Sequence, residues 1–83
     1  MTIRRISPDT LKRLPGGTQI AEVAGFVFIS GQVSQNERGE IVGEGDIEAQ
    51  AVQVFANLRA AMQAVGGDLS NLVKTTTYIT SAE

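Results

Sequence analysis

Phe26-Val27-Phe28-Ile29-Ser30-Gly31-Gln32 is the stretch whose reading decides the fold. Its first four residues are aromatic or β-branched, the types that fit a pleated strand, and all four are apolar. A strand with one face in water alternates polar and apolar side chains, whereas one without alternation is covered on both faces. One face is expected to meet a helix of the same chain. The other needs a different partner, and a second subunit is the natural candidate. Ser30-Gly31-Gln32 ends the strand.

Upstream, Gln19 to Val23 forms a second strand pattern, joined to the first through a tight turn at Ala24-Gly25. Ile3 and Ile6 flank Arg4 and Arg5, a weak strand signal suited to a sheet edge, where charge discourages further pairing. Ser7-Pro8-Asp9 predicts a turn, and Pro15-Gly16-Gly17 breaks whatever precedes it. Downstream, Gln35 to Gly45 is a polar loop or loose hairpin, with Ile41 and Val42 as candidates for a short pairing.

The strongest local signal is a helix from about Asp46 to Val65. Asp46 is a good N-cap and Glu48 suits the positive end of the helix dipole. Ile47, Ala51, Val54, Phe55, Leu58, Met62 and Val65 recur at steps of three and four, which predicts one apolar stripe. Glu48, Gln53, Asn57, Arg59 and Gln63 are left for solvent, and Gly66-Gly67 supplies the stop. Leu72 to Thr80 is rich in β-branched residues and predicts a last strand. The expected order is β-β-β-α-β, an α+β domain in which the long helix packs on one face of a mixed sheet.

With 83 residues there is room for a single domain, and a domain this small is marginally stable unless something completes its core. There is no Cys, so no disulfide helps; oligomerisation is what remains. There is no His either, which together with the lack of Cys excludes Ser-His and Cys-His catalysis. The formal charge of −2 gives no general attraction for nucleic acid or anionic membranes. Arg4, Arg5, Lys12 and Arg13 form a local cationic cluster that is either a small anion-binding patch or, more simply, a solvated surface. No apolar run approaches the roughly 18 residues of a membrane helix, and Met1-Thr2-Ile3-Arg4-Arg5-Ile6 lacks the apolar core of a signal peptide. A cytoplasmic protein is expected. Gly39, Gly43 and Gly45 match no phosphate-binding spacing, and the scattered carboxylates show no metal-ligand pattern. No cofactor, metal site or catalytic residue is assigned.

The ordered blocks resemble the RidA/YjgF family (endoribonuclease L-PSP-like, imine deaminases). Phe26 to Gln32 resembles its strand ending in Ser-Gly-Gln, and Asp46-Ile47-Glu48-Ala49-Gln50-Ala51 the start of its long helix. Val65-Gly66-Gly67-Asp68-Leu69 resembles its Ala-Gly-Gly turn, and Val73 to Ile79 its Lys-Thr-Thr strand. The match covers about Gln19 to Thr80. It implies a chorismate mutase-like fold with two helices on one sheet face, and a homotrimer whose sheets meet at the centre. It also implies hydrolysis of reactive enamines and imines, of the 2-aminoacrylate and 2-iminobutanoate type, to 2-keto acids and ammonia. The family has been associated with ribonuclease activity and inhibition of translation as well.

Residues 1–83 then represent the N-terminal part of one such domain. The family's second helix and two further strands have no counterpart here. Nor do its Arg in a Pro-Ala-Arg-like segment, which clamps the substrate carboxylate in bidentate fashion, and its late Glu, which positions or activates water. Where the family has a Gly-Pro-Tyr-Ser-Gln-like stretch, this chain has Pro15-Gly16-Gly17-Thr18-Gln19, with Gly17 in the place of the pocket aromatic.

By the resemblance, Ser30 and the Gly31 backbone line a substrate pocket between subunits. A strand-end Ser that ties down its own backbone is the competing reading of Ser30, and a plain turn that of Gly31. Ser30 is not read as a nucleophile, because no base is available to activate it. Gln32, Lys74 and Tyr78 are read as surface or half-buried side chains before ligand contacts. Three functions stay open: an imine or enamine deaminase, a non-catalytic module that binds small carboxylates or proteins, and an inactive truncated product.

Overall fold

A computed structural model describes residues 2–75 and Thr77. Three short strands, β1 (Ile3–Ile6), β2 (Ile20–Val23) and β3 (Phe26–Ile29), form an antiparallel sheet in that order. The long helix α1 (Ile47–Ala64) follows, then a single 3-10 turn at Leu69–Asn71. The fold is therefore a small α+β unit, with the weak N-terminal strand at the sheet edge as its charges suggest. Among the described residues, no helix is long and apolar enough to cross a membrane.

Ala24 and Gly25 both have positive φ, 52° and 84°. A two-residue hairpin of type I′, whose twist matches that of the strands, needs this of both its central positions. Glycine meets the demand at no steric cost, and Ala24 meets it with some strain. The register puts Ile20 opposite Ile29, Glu22 opposite Val27 and Val23 opposite Phe26. Strand alternation then sorts the sheet into two faces. Ile6, Ile20, Val27 and Ile29 lie on one; Ile3, Arg5, Ala21, Val23, Phe26 and Phe28 lie on the other.

The first face carries the core. Leu11, Ile20 and Ala61 are buried together, and Ile6, Val27, Ile29, Ala60, Ala64 and Val65 pack around them. The second face is uncovered in the single chain: Phe26 is 69% exposed and Phe28 60%. The apolar run thus divides as expected, one face on the helix and the other without a partner among the described residues.

The ends of α1 fall where the sequence puts them. The Asp46 carboxylate accepts from the Glu48 and Ala49 amides at 3.1 and 3.2 Å. At the far end, Gly66 takes φ 80°. Its N–H donates to the Gln63 carbonyl while that of Gly67 donates to Met62, which satisfies two orphan carbonyls. Asp46→Ala removes the carboxylate that caps the first turn, and is expected to cost about 1 kcal/mol, read as a lower urea midpoint with an unchanged slope.

The rotation of α1 differs from the predicted stripe. Met62 is buried and Val54, Leu58 and Val65 are half-buried, but Ala51 is exposed, as are Ile47 (64%) and Phe55 (53%). Ala61 and Asn57 are buried instead. Two causes combine. The alanines at 60, 61 and 64 let the helix sit close on the sheet, and Asn57 donates to the Val33 and Gln35 carbonyls at 3.0 and 2.9 Å, drawing its face inward. Ala51, Val52, Phe55, Ala56, Arg59 and Leu69 line a shallow outward groove of about 380 Å³.

The predicted strand at 72–80 is not formed where it is described. Leu72–Thr75 and Thr77 lie in no strand, and Val73 is 99% exposed. Thr76 and residues 78–80 lie outside the described residues. β-propensity reflects packing against neighbouring strands, and residues 72–75 and Thr77 pair with no strand among the described residues. The described sheet is consequently antiparallel throughout rather than mixed, and its order is β-β-β-α.

The loop between β3 and α1 closes as a loose hairpin, with Gln35 bridged to Ile41. At its tip the Asn36 amide and the Arg38 guanidinium both donate to Glu40, at 2.9 and 2.6 Å. These bonds, that of Asn36 foremost, hold the Glu40 carboxyl below the usual carboxylate range.

Candidate functional site

Ser30 sits one residue beyond β3, opposite Gln19 one residue before β2. The Ser30 amide donates to the Gln19 carbonyl at 2.9 Å, carrying the β2–β3 ladder one step past its end. The two side chains also meet there. The Ser30 hydroxyl lies 2.6 Å from Gln19 Oε1, and Gln32 Nε2 lies 2.8 Å from the same oxygen. On the other side, Gln19 Nε2 donates to the Lys12 carbonyl at 2.7 Å. Gln19 is only 6% exposed, so its amide is a buried polar group with its bonds made. Ser30 and Gln32 are half-buried around it, and Gln32 Nε2 also reaches the Ser30 carbonyl at 3.1 Å.

The structure thus brings Ser30 and Gln32 together through Gln19, which the sequence alone does not flag. Gly31 is exposed, and a Cβ built on it would meet nothing within 4 Å. The cluster consists of amides and a hydroxyl. It can bind and orient a ligand, but it holds no group suited to take a proton near neutral pH.

The four N-terminal cations do not form one patch. Arg4 lies 3.9 Å from Glu22, and the Lys12 stem runs over Gly39. Arg5 and Arg13 line a shallow cleft of about 750 Å³ with Ser7, Leu14, Pro15, Gly16, Gly17 and Thr18. Its wall is tied down by Thr18, whose hydroxyl donates to the Ile6 carbonyl at 2.6 Å and accepts from Ser7 at 3.1 Å. Gly17, at the position of the expected aromatic, leaves this cleft open: the nearest atom to a Cβ there is that of Leu14 at 3.9 Å. Neither cleft is lined by Ser30 or Gly31. Lys74 is exposed, and Tyr78 lies outside the described residues. Among the described residues no three Asp, Glu, His or Cys side chains are grouped to hold a metal ion.

The model of the endoribonuclease L-PSP family matches residues 15–83. The chain belongs to the endoribonuclease L-PSP (RidA/YjgF) family. A RutC family protein of Aquifex aeolicus is 45% identical over 64 residues, 76% of this chain and 50% of its own length. The 2-iminobutanoate/2-iminopropanoate deaminase of Dermatophagoides farinae is 33% identical over 81 residues, 95% of this chain and 63% of its own. A Lactococcus lactis protein named as a putative regulator, AldR, is 37% identical over 62 residues, 74% of this chain and 48% of its own. The chain spans about half the length of most of the curated RidA/YjgF relatives it matches. The Gln19–Ser30–Gln32 cluster falls within the matched residues, while the Gly17 cleft is also lined by Arg5, Ser7, Arg13 and Leu14, which precede them.

Proposed function

We propose that this protein acts in the hydrolysis of reactive enamines and imines, of the 2-aminoacrylate and 2-iminobutanoate type, to 2-keto acids and ammonia. Ser30 and the Gly31 backbone line the substrate pocket. The observation that carries the reading is the ordered polar cluster at the end of β3, in a chain related over 81 residues to a protein named as an imine deaminase. The cluster supplies orientation without proton transfer. The bidentate arginine and the water-activating glutamate must come from outside these 83 residues. The chain by itself is therefore expected to be inactive.

The same reading makes the working unit a cytoplasmic homotrimer of chorismate mutase-like domains. Support comes from the open face of Phe26 and Phe28, which a sister copy would cover, and from the position of Ser30 at the rim of that sheet.

A second reading, a non-catalytic module that binds small carboxylates, is favoured by one observation. With Gly17 in the place of the aromatic, the adjoining cleft is open and lined by Arg5 and Arg13. Decay of 2-iminobutanoate generated in situ separates the two. Acceleration is expected from a purified oligomer of the length of the relatives and none from the 83-residue chain; no acceleration by that oligomer removes the enzyme reading and leaves the binder.

A further inference from the structure

The proton of the Ser30 hydroxyl can be placed from its neighbours. Gln19 faces the Lys12 carbonyl at 2.7 Å with one end of its amide. A carbonyl only accepts, so that end must be the NH₂ group. The other end, Oε1, then only accepts. It faces the Ser30 hydroxyl at 2.6 Å, which has to donate to it. Gln32 is oriented by the same logic, with one amide proton for Gln19 Oε1 at 2.8 Å and the other for the Ser30 carbonyl at 3.1 Å. Its remaining approach to Ser30 Oγ, at 3.4 Å, is too long to occupy that oxygen fully. The Lys12 backbone carbonyl, far from Ser30 in the sequence, thus dictates through the Gln19 side chain that Ser30 presents a lone pair and no proton.

We propose that Gln19 is a positioning residue that holds Ser30 as a hydrogen-bond acceptor, so that the pocket selects a ligand with an N–H at the reacting carbon: the imine or iminium nitrogen rather than the keto acid oxygen. This rests on the pocket role given to Ser30 and Gly31 above. An imine nitrogen carrying hydrogen donates to the Ser30 lone pair. The 2-keto acid left after hydrolysis offers only a carbonyl oxygen there, which meets that lone pair unfavourably. The cluster therefore favours substrate over product without any charged group, and the bound hydroxyl cannot swing to suit both. The substrate carboxylate is left to a cationic partner, since Ser30 has no proton to give it.

The test compares 2-aminobutanoate, which bears N–H donors at C2, with 2-oxobutanoate, which bears none, by calorimetry on the oligomer of the length of the relatives. Ser30→Ala is expected to weaken 2-aminobutanoate about tenfold and to leave 2-oxobutanoate unchanged or tighter. Ser30→Thr, which keeps the hydroxyl, is expected to restore the difference. Gln19→Leu frees the hydroxyl to turn and donate, so 2-oxobutanoate gains while 2-aminobutanoate loses. Should Gln19→Leu fail to fold, the Ser30 pair decides alone. If Ser30→Ala weakens 2-oxobutanoate as much as 2-aminobutanoate, or affects neither, the acceptor assignment is wrong although the pocket stands. If neither ligand shifts the Ser30 and Gly31 amide resonances of the unsubstituted protein, the pocket itself is misplaced and the inference goes with it.

Discussion

Phe26→Thr/Phe28→Thr is expected to turn an assembled protein into a folded monomer. The pairing register puts both phenylalanines on the sheet face opposite α1, beside Val23, Ala21 and Ile3. Phe26, Phe28 and Ile3 are 69%, 60% and 48% exposed in the single chain. A contiguous apolar face of this kind marks an interaction surface. Full burial of a phenylalanine contributes about 1.5–3 kcal/mol. Covering the parts of these two that are now open stabilises the assembly by roughly 2–4 kcal/mol per subunit, or about 30-fold and upward in association. Threonine is chosen because it keeps β propensity and adds no charge, and because neither Phe26 nor Phe28 touches the core built on Ile20, Val27 and Ile29. Far-ultraviolet circular dichroism should be unchanged while sedimentation velocity reports the loss of the oligomer. A double variant of unchanged size would show that this face is not the contact, and a monomeric starting protein would remove the trimer altogether.

What could be read from the sequence, and what could not, follows from how far each determinant reaches along the chain. The hairpin of β2 and β3 was legible because Ala24-Gly25 is a local turn between two local runs. The limits of α1 were legible for the same reason, with Asp46 and Gly66 each acting within one turn of itself. Its rotation was not. Ile47, Ala51 and Phe55 make as good an apolar edge as Leu58, Ala61 and Val65, and periodicity weighs the larger side chains more heavily. The choice was settled by Asn57, whose partners Val33 and Gln35 lie more than twenty residues away. The strand expected at 72–80 failed where it is described because its signal is propensity, and propensity needs a neighbouring strand before it is realised. At the end of β3, Ser30 was singled out through the resemblance. Gln19 was not, since its importance is a matter of tertiary contact: a carbonyl at Lys12 on one side, a hydroxyl at Ser30 on the other.

The same reach makes Asn57 a sensitive polar position. It is 7% exposed, donates to two loop carbonyls, and accepts from Gln53 Nε2 at 2.8 Å. Leucine shares the branch at Cγ and has a better helix propensity, but it is larger, so Asn57→Leu removes the hydrogen bonds and also crowds the site. It strands the Gln35 carbonyl against an apolar side chain, at roughly 1–3 kcal/mol for a group left unsatisfied, while the Val33 carbonyl keeps the bond from the Gln35 amide at 2.8 Å. A net loss of about 1–3 kcal/mol is expected. Total stability is only about 5–15 kcal/mol for ordinary domains and less for small ones, so this loss lowers the urea midpoint steeply. Gln53→Ala removes a single partner of Asn57 and should cost less than about 1 kcal/mol. Both are to be measured at one protein concentration, since assembly would shift the apparent midpoint by mass action. Equal midpoints for Asn57→Leu and the unsubstituted chain would mean that the Gln35–Ile41 bridge, with Ser34 donating to the Val42 carbonyl, holds the loop unaided. The rotation of α1 would then rest on its alanines alone.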